Sequence, residues 1–438
     1  MPAHRKMRRA LSVLCAVTVF LVASSVTPVA YAFTYYVSEV GSDKAGDGSR
    51  EHPWRSLQRA SDNSKPGDHV MVSAGTYRPF HIETPGKPTA RILFVASGSG
   101  VRIKGYEYFA GRYAAVSVMA SYITLEGFEI DVGLDENSNS RGIRVSGVPE
   151  DYVKAVQIYN NHVANAGWVG ITTSYAEGVV IQGNHVQGSR GQHGIYVANS
   201  ADHPIIRGNV VFDNAQAGIQ VNADPQLPGD GVIEGAIIEN NILYRNGHRG
   251  SAALNLASVR NSRISGNLLY ENASQGLASW DDEAGNRYGC KNNLYLNNTV
   301  VMPKGSRHAL VFRHGSSGNA VYNNILVHLG ERDGLAIDSS SMPGLKSDFN
   351  VVSRIEDPEG KLVELSRWRE ITGLDRHSFA ANPDDLFVDH QHHVYELVAS
   401  SPAIDKGTPR SEVGKDLRGL PRPQGISLDI GAYEHVSR

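Results

Sequence analysis

Two cysteines, four tryptophans and no excess of positive charge mark this 438-residue chain by what it lacks. Cys15 falls in an N-terminal segment read as a cleaved leader, so Cys290 stands alone, which excludes an intramolecular disulfide and a cysteine-based zinc site. Stability must come from packing. Residues 1–32 read as a signal peptide: Arg5, Lys6, Arg8 and Arg9 open it, an apolar run at 11–22 is short for a bilayer span, and Ala30-Tyr31-Ala32 closes it. Its removal leaves 38 bases against 45 acids, a net charge of about −7 that argues against nucleic acid as a partner. No glycine loop stands in a strand–turn–helix context for a nucleotide, and no membrane span is expected after the leader. A secreted or cell-surface monomer is the expectation.

What the chain does have is a repeat. An asparagine precedes an apolar pair at Asn161, Asn184, Asn209, Asn241, Asn267, Asn298, Asn324 and Asn350, at spacings of 23, 25, 32, 26, 31, 26 and 26 residues. Such a period indicates a stacked-repeat architecture. Short β-branched alternations without a 10–15-residue amphipathic stretch disfavour leucine-rich repeats and favour coils of short strands. The asparagines are read as structural, stacking at one turn where they tolerate left-handed backbone. Two insertions, 222–235 and 281–293, account for the long spacings, and in a solenoid such insertions form loops on one face.

The "GNxV" and "NNxV" phrases resemble right-handed parallel β-helix proteins of the pectate-lyase type. The opening "FTYYVSEVGSDKAGDGSREHPWRSLQRASDNSKPGDHVMVSAGTY" (33–77) is similar to the start of secreted members, where a short helix, here near 56–60, caps the open coil. The ending, 400–435, resembles the segment called choice-of-anchor Q. The resemblance implies an all-β, single-stranded right-handed parallel β-helix. Its parts are the leader (1–32), cap and first coils (33–110), helical core (111–355), and C-terminal coils and tail (356–438).

Strands beginning "GITTS" (170), "GIYVANS" (194), "GIQVNAD" (218), "AALNLAS" (252), "GLASWDD" (276), "ALVFRHG" (309) and "GLAIDSS" (334) align on a small residue followed by an apolar one. Period-two alternation then sends Ile195, Val197, Ile219 and Val221 inward. Two outward ladders remain: Thr172, Tyr196, Gln220, Asn255, Ala278, Val311, Ala336, and Ala198, Asn222, Ala257, Trp280, Arg313, Asp338. Tyr196, Gln220, Asn222, Asn255 and Trp280 form a polar, aromatic patch suited to a polysaccharide, with Asp224 and Asp282 at strand ends roughly 10 Å apart by strand spacing.

Three functions follow. The resemblance implies first a polysaccharide lyase acting on a uronate polymer by β-elimination. That chemistry needs Ca²⁺ or cations to neutralise the substrate carboxylate, and a base. Asp224 and Asp282 are the expected Ca²⁺ ligands, with Asp230, Asp281 and Glu283 as further donors. Arg313 is the base implied by the resemblance, with Lys291 and His193 as substitutes; His193 beside Tyr196 is the easier base near neutral pH. The alternative is an inverting glycoside hydrolase with Asp224 and Asp281 or Asp282 as acid and base. The third is a non-catalytic surface binder or adhesin. In all three, "HQHH" (390–393) and "DKAGDG" (43–48) are read as loop and turn, and Trp368 as packing of a C-terminal appendage.

Overall fold

The computed structural model describes residues 32–133, 139–283 and 285–436, so the leader lies outside the described residues. Three long sheets carry the chain. The first runs from Thr34–Val37 to Lys346–Asp348 through 12 strands, the second from Gly75–Tyr77 to Val351–Val352 through 11, and the third, of 13 strands, from Phe80–Ile82 to Leu362–Glu364 with Glu107–Phe109 attached beside that path. Within each sheet, a strand pairs in parallel with its counterpart in the next coil; in the third, Glu107–Phe109 adds an antiparallel hairpin to Arg112–Val118, and the antiparallel partner Leu362–Glu364 ends the sheet. The chain is thus a parallel β-helix.

Alternation places the apolar residues of every coil inside. Ile171, Ile195, Ile219, Leu254, Leu277, Leu310 and Leu335 stack in register through the third sheet, all essentially inaccessible. Each such side chain contributes about 1.5–3 kcal/mol by leaving water. Helix Leu57–Asn63 is capped by Ser56, whose Oγ accepts from the Arg59 amide, and it buries Leu57 and Ala60 over the first coils. Gln58 and Ser61 tie it to the backbone of His81, in the first strand of the third sheet. The expected capping helix is present and runs slightly past the predicted span.

The eight asparagines form a continuous internal ladder. Each of the first seven donates Nδ2 to Oδ1 of its counterpart one coil on, from Asn161 to Asn184 at 3.1 Å through to Asn324 to Asn350 at 3.1 Å, and all eight are buried. The left-handed backbone belongs to the residue before each: Asn160, Gly183, Gly208, Asn240, Gly266, Asn297, Asn323 and Phe349 have positive φ. The expected single role is therefore divided. One residue makes the turn; the next satisfies it.

Asn241 also holds the Ile206 carbonyl, and its Oδ1 accepts the Asn209 amide at 3.0 Å. Asn241→Ala should cost about 3 kcal/mol, since it strands several buried polar groups. Denaturant unfolding checks this; a cost below about 1 kcal/mol would mean the ladder is incidental.

At the other end, helix Leu365–Thr372 seats Trp368, fully buried, with its indole N–H on Asp375 at 2.9 Å. The tail folds back on the solenoid. Ala432 donates to Thr299 Oγ1, Asn297 and Asn323 donate to tail carbonyls, and Arg422 pairs with Glu434 out of solvent at 2.6 Å. Cys290 is free and buried, and burial pushes its thiol up to about 11, which leaves it unreactive at neutral pH. Asp43 accepts the backbone amides of Arg55 and Ser56 before the capping helix, and Asp47 that of Ser49 in its own turn. His390, His392 and His393 each pair with a different carboxylate.

Candidate active site

The third sheet carries the site. Its register pairs Thr172, Tyr196, Gln220, Asn255, Ala278, Val311 and Ala336 in one row and Ala198, Asn222, Ala257 and Trp280 in the other, as the alternation predicts. Both insertions leave this sheet, after Ile219–Asn222 and after Leu277–Trp280. His193, Tyr196, Gln220, Asn222, Asn255, Trp280, Asp282 and Arg313 line one cavity of about 640 Å³. Asp224 lines an adjoining cavity that shares Tyr196.

The floor is wired rather than open. Gln220, Asn222 and Asn255 are almost wholly covered, where the sequence suggested an exposed patch. The Trp280 indole donates to Asn255 Oδ1 at 3.0 Å, and Asn255 Nδ2 donates to Gln220 Oε1 at 2.7 Å. This chain fixes the indole as a platform. Aromatic faces of this kind suit the apolar face of a sugar ring.

Beside it, Asn222 Nδ2 donates both to Asp224 Oδ1 at 2.9 Å and to Asp282 Oδ2 at 3.3 Å. These two distances bound the oxygen–oxygen separation at their sum, about 6.2 Å. The carboxyl groups thus approach more closely than strand spacing alone suggests, because one amide draws both inward. Asp224 takes a left-handed backbone, φ 49°, its own amide donating to Asn222 Oδ1 at 3.2 Å. Held backbone of this sort is common where a side chain is aimed at a substrate.

The two carboxyls occupy different environments. Asp282 is exposed at its strand end, whereas Asp224 is half-buried. Burial pushes the Asp224 carboxyl up to about 6; the neighbouring Asp282 adds to the rise, against the Tyr196 hydroxyl that donates to it at 3.2 Å. Tyr196 itself is pushed far up, by burial first and Asp224 second.

The contacts of His193, Arg313, Lys291 and the aspartates bear on the roles expected of them from sequence. His193 Nδ1 accepts the Ala217 amide at 3.2 Å, and burial pushes its pKa down to about 4. The ring is neutral with its proton on Nε2, a fixed donor and not a base. Arg313 is ion-paired with Glu356 at the groove edge, a positioned cation, and an arginine base has no support here. Lys291 donates to carbonyls of its own loop. Calcium fits poorly: an N–H donor stands between Asp224 and Asp282 where a cation needs oxygens, and Asp281 is spent on the amides of Glu283 and Tyr288. Asp281 is fully buried and shapes the insertion loop; Asp230 caps Val232, and Glu283 belongs to the exposed turn.

Sequence reasoning missed His308. It lines the same cavity, and its Nδ1 lies 2.8 Å from the buried carboxylate of Asp333, leaving Nε2 to accept a proton. Its signal was present: His308 precedes Ala309-Leu310 as His193 precedes Gly194-Ile195. Asp333, contributed by the next coil, gave no local cue.

Residues 92–227 match the family model described as right-handed beta helix region. The fold is a right-handed parallel β-helix. A curated relative, the uncharacterized protein YwoF of Bacillus subtilis (strain 168), is 27% identical over 87% of this chain and 97% of its own length. Among solved structures, pectate lyase Pel9A superposes with a TM-score of 0.62 at 16% identity, covering 93% of this chain and 97% of its own. XylC, solved with xylose, gives 0.52 at 11% identity over 92% and 99%. A protein described as a glycoside hydrolase gives 0.51 at 11% identity over 79% and 99%. At these identities the likeness concerns the fold.

Proposed function

We propose that the protein is a secreted enzyme that cleaves glycosidic bonds of a polysaccharide with Asp224 as acid and Asp282 as nucleophile. One observation carries this reading: two carboxyls bridged by Asn222, one of which, the half-buried Asp224, is raised to about 6. Paired carboxyls in unlike surroundings divide into an acid and a carboxylate. Asp224 Oδ1 and Asp282 Oδ2 lie no more than about 6.2 Å apart, which is compatible with the short separation of retaining hydrolases and supports a retaining course as the one proposed. The retaining course is proposed beside the lyase and the inverting hydrolase that the sequence led us to expect. The neighbours named as a pectate lyase and a glycoside hydrolase support carbohydrate as the substrate class.

In this mechanism Trp280 and the Gln220–Asn255 pair hold the ring, and Asp224 gives its proton to the departing glycosidic oxygen. Asp282 attacks the anomeric carbon, forming an ester. Water, deprotonated by Asp224, then releases the sugar and restores both groups. Incubating the mature protein with uronate and neutral polysaccharides, while reading both reducing ends and ultraviolet absorbance, tests the proposal. New reducing ends without unsaturated product are expected. Polymer binding with neither signal would leave a non-catalytic binder.

A second reading, β-elimination, is favoured by the His308–Asp333 pair, which has the geometry of an oriented base. His308→Ala separates the two. Under hydrolysis it lowers cleavage by less than about tenfold; a loss of 10²-fold or more together with unsaturated product would make His308 the base.

A further inference from the structure

The third sheet extends toward the N-terminal end beyond the ladders read from sequence. Strand Ser140–Ser146 pairs Arg144 with Thr172 on one side and with Ser117 on the other, so Arg144 continues the row of Tyr196 and Gln220. Arg141 pairs with Ala114 in the same coils, and Arg112 opens the adjacent strand Arg112–Val118. All three line a cavity of about 580 Å³ that also receives Tyr196 and Asp224, and is therefore continuous with the active-site groove.

Their partners do not account for their charge. Arg112 donates to the Gly111 carbonyl at 3.1 Å, Arg141 to the Asn139 carbonyl at 2.7 Å, and Arg144 to Ser117 Oγ at 3.2 Å. Among the described residues, no carboxylate pairs with any of them. Burial, followed by repulsion from Arg112 and Arg144, pulls Arg141 down to about 10, and Arg144 is lowered by burial and Arg112. Half-buried guanidinium groups crowded without a counterion are costly in a folded protein unless an anion completes them. Nearby, Tyr108 and Tyr113 stand exposed with their rings 5.1 Å apart, offering aromatic surface beside Arg112.

We propose that Arg112, Arg141 and Arg144 form an oxyanion subsite that holds a carboxylate or sulfate substituent of the bound polysaccharide. From Arg144 to the coil of Gln220 and Asp224 is three inter-strand steps, roughly 14 Å. The substituent is therefore on a sugar remote from the cleaved bond, and the groove selects an acidic polymer of several units and fixes its direction. This rests on the reading that the groove takes a polysaccharide. Guanidinium groups fit such oxyanions through paired N–H donors.

Calorimetric titration of the Asp282→Ala protein separates binding from turnover. The probes are hexameric oligouronides, the same hexamers with carboxyls reduced to neutral sugars, and sulfated neutral hexamers. The uronides, the sulfated hexamers or both should bind at least tenfold more tightly than the neutral ones, with the advantage shrinking as salt rises. Arg141→Gln and Arg144→Gln should each remove about tenfold of the acidic affinity and little of the neutral, and Arg144→Lys should restore part. Whichever acidic series binds more tightly identifies the group. If the buried substitutions impair folding, Arg112→Gln at the exposed edge makes the same comparison. Equal affinity for acidic and neutral hexamers, undiminished binding in the arginine variants, or no binding of either acidic series overturns the subsite. Cleavage of neutral and acidic polymers alike would sink it while sparing the carboxyl pair; acid-selective binding without cleavage would do the reverse.

Discussion

Asp282→Ala should lower cleavage by about 10³-fold or more while leaving the melting temperature within a degree or two. The side chain is exposed and accepts a 3.3 Å hydrogen bond from Asn222, so little folding energy rests on it. Its loss removes the nucleophile outright. Asp281→Ala is the matched control: that neighbour is fully buried and accepts the amides of Glu283 and Tyr288, so its loss should destabilise the insertion by about 2 kcal/mol. Rates and thermal unfolding of both variants decide the matter. A collapse of stability in Asp282→Ala would make that residue structural.

The second large effect is at Asp224. As the acid, raised to about 6, it must be protonated at the start of the cycle, so kcat/KM should fall as pH rises through about 6. Asp224→Asn should lose 10²–10⁴-fold in rate and, with it, that alkaline limb. The stability effect has the opposite sign. A carboxyl raised above its unfolded value favours the folded state most when protonated, so ionisation weakens the fold as pH climbs from about 4 to about 6. Asparagine cannot ionise. Asp224→Asn should therefore melt higher than the parent at pH 8 and show no such gain below pH 4. A gain independent of pH, or an unchanged rate profile, would remove Asp224 from the acid role.

The solenoid was legible because its signals are local and repeated. The spaced asparagines and the small-apolar strand starts set both the coil and its register, so Tyr196, Gln220, Asn255 and Trp280 fell on one face as read. Period two leaves no freedom once the apolar side is known. The same signature opens "GIRVS" at 142–146, yet the alignment began one coil later, at "GITTS", and so passed over Arg144. Roles within the site depended on contacts that spacing does not encode. Which nitrogen of His193 is occupied follows from Ala217 in the next coil, and the partner of Arg313 is Glu356, 43 residues on. The closeness of Asp224 and Asp282 arises from one bridging amide, which strand separation alone underestimates.

This division has a physical cause. Burying an apolar face is a collective property of many residues, and substitution of one changes little in the pattern. An acid, by contrast, is defined by its desolvation and its neighbours, and both come from coils far apart in sequence.

The most direct test of the paired carboxyls is the stereochemistry of the first product. On a polymer that the wild-type protein cleaves, proton NMR in the opening minutes should show the newly released anomeric centre in the configuration it had in the substrate, before mutarotation. Inverted product would contradict Asp282 as nucleophile and Asp224 as its acid, and so would an unsaturated sugar, since elimination leaves the C1–O bond unbroken and the new end retained without any nucleophile at C1.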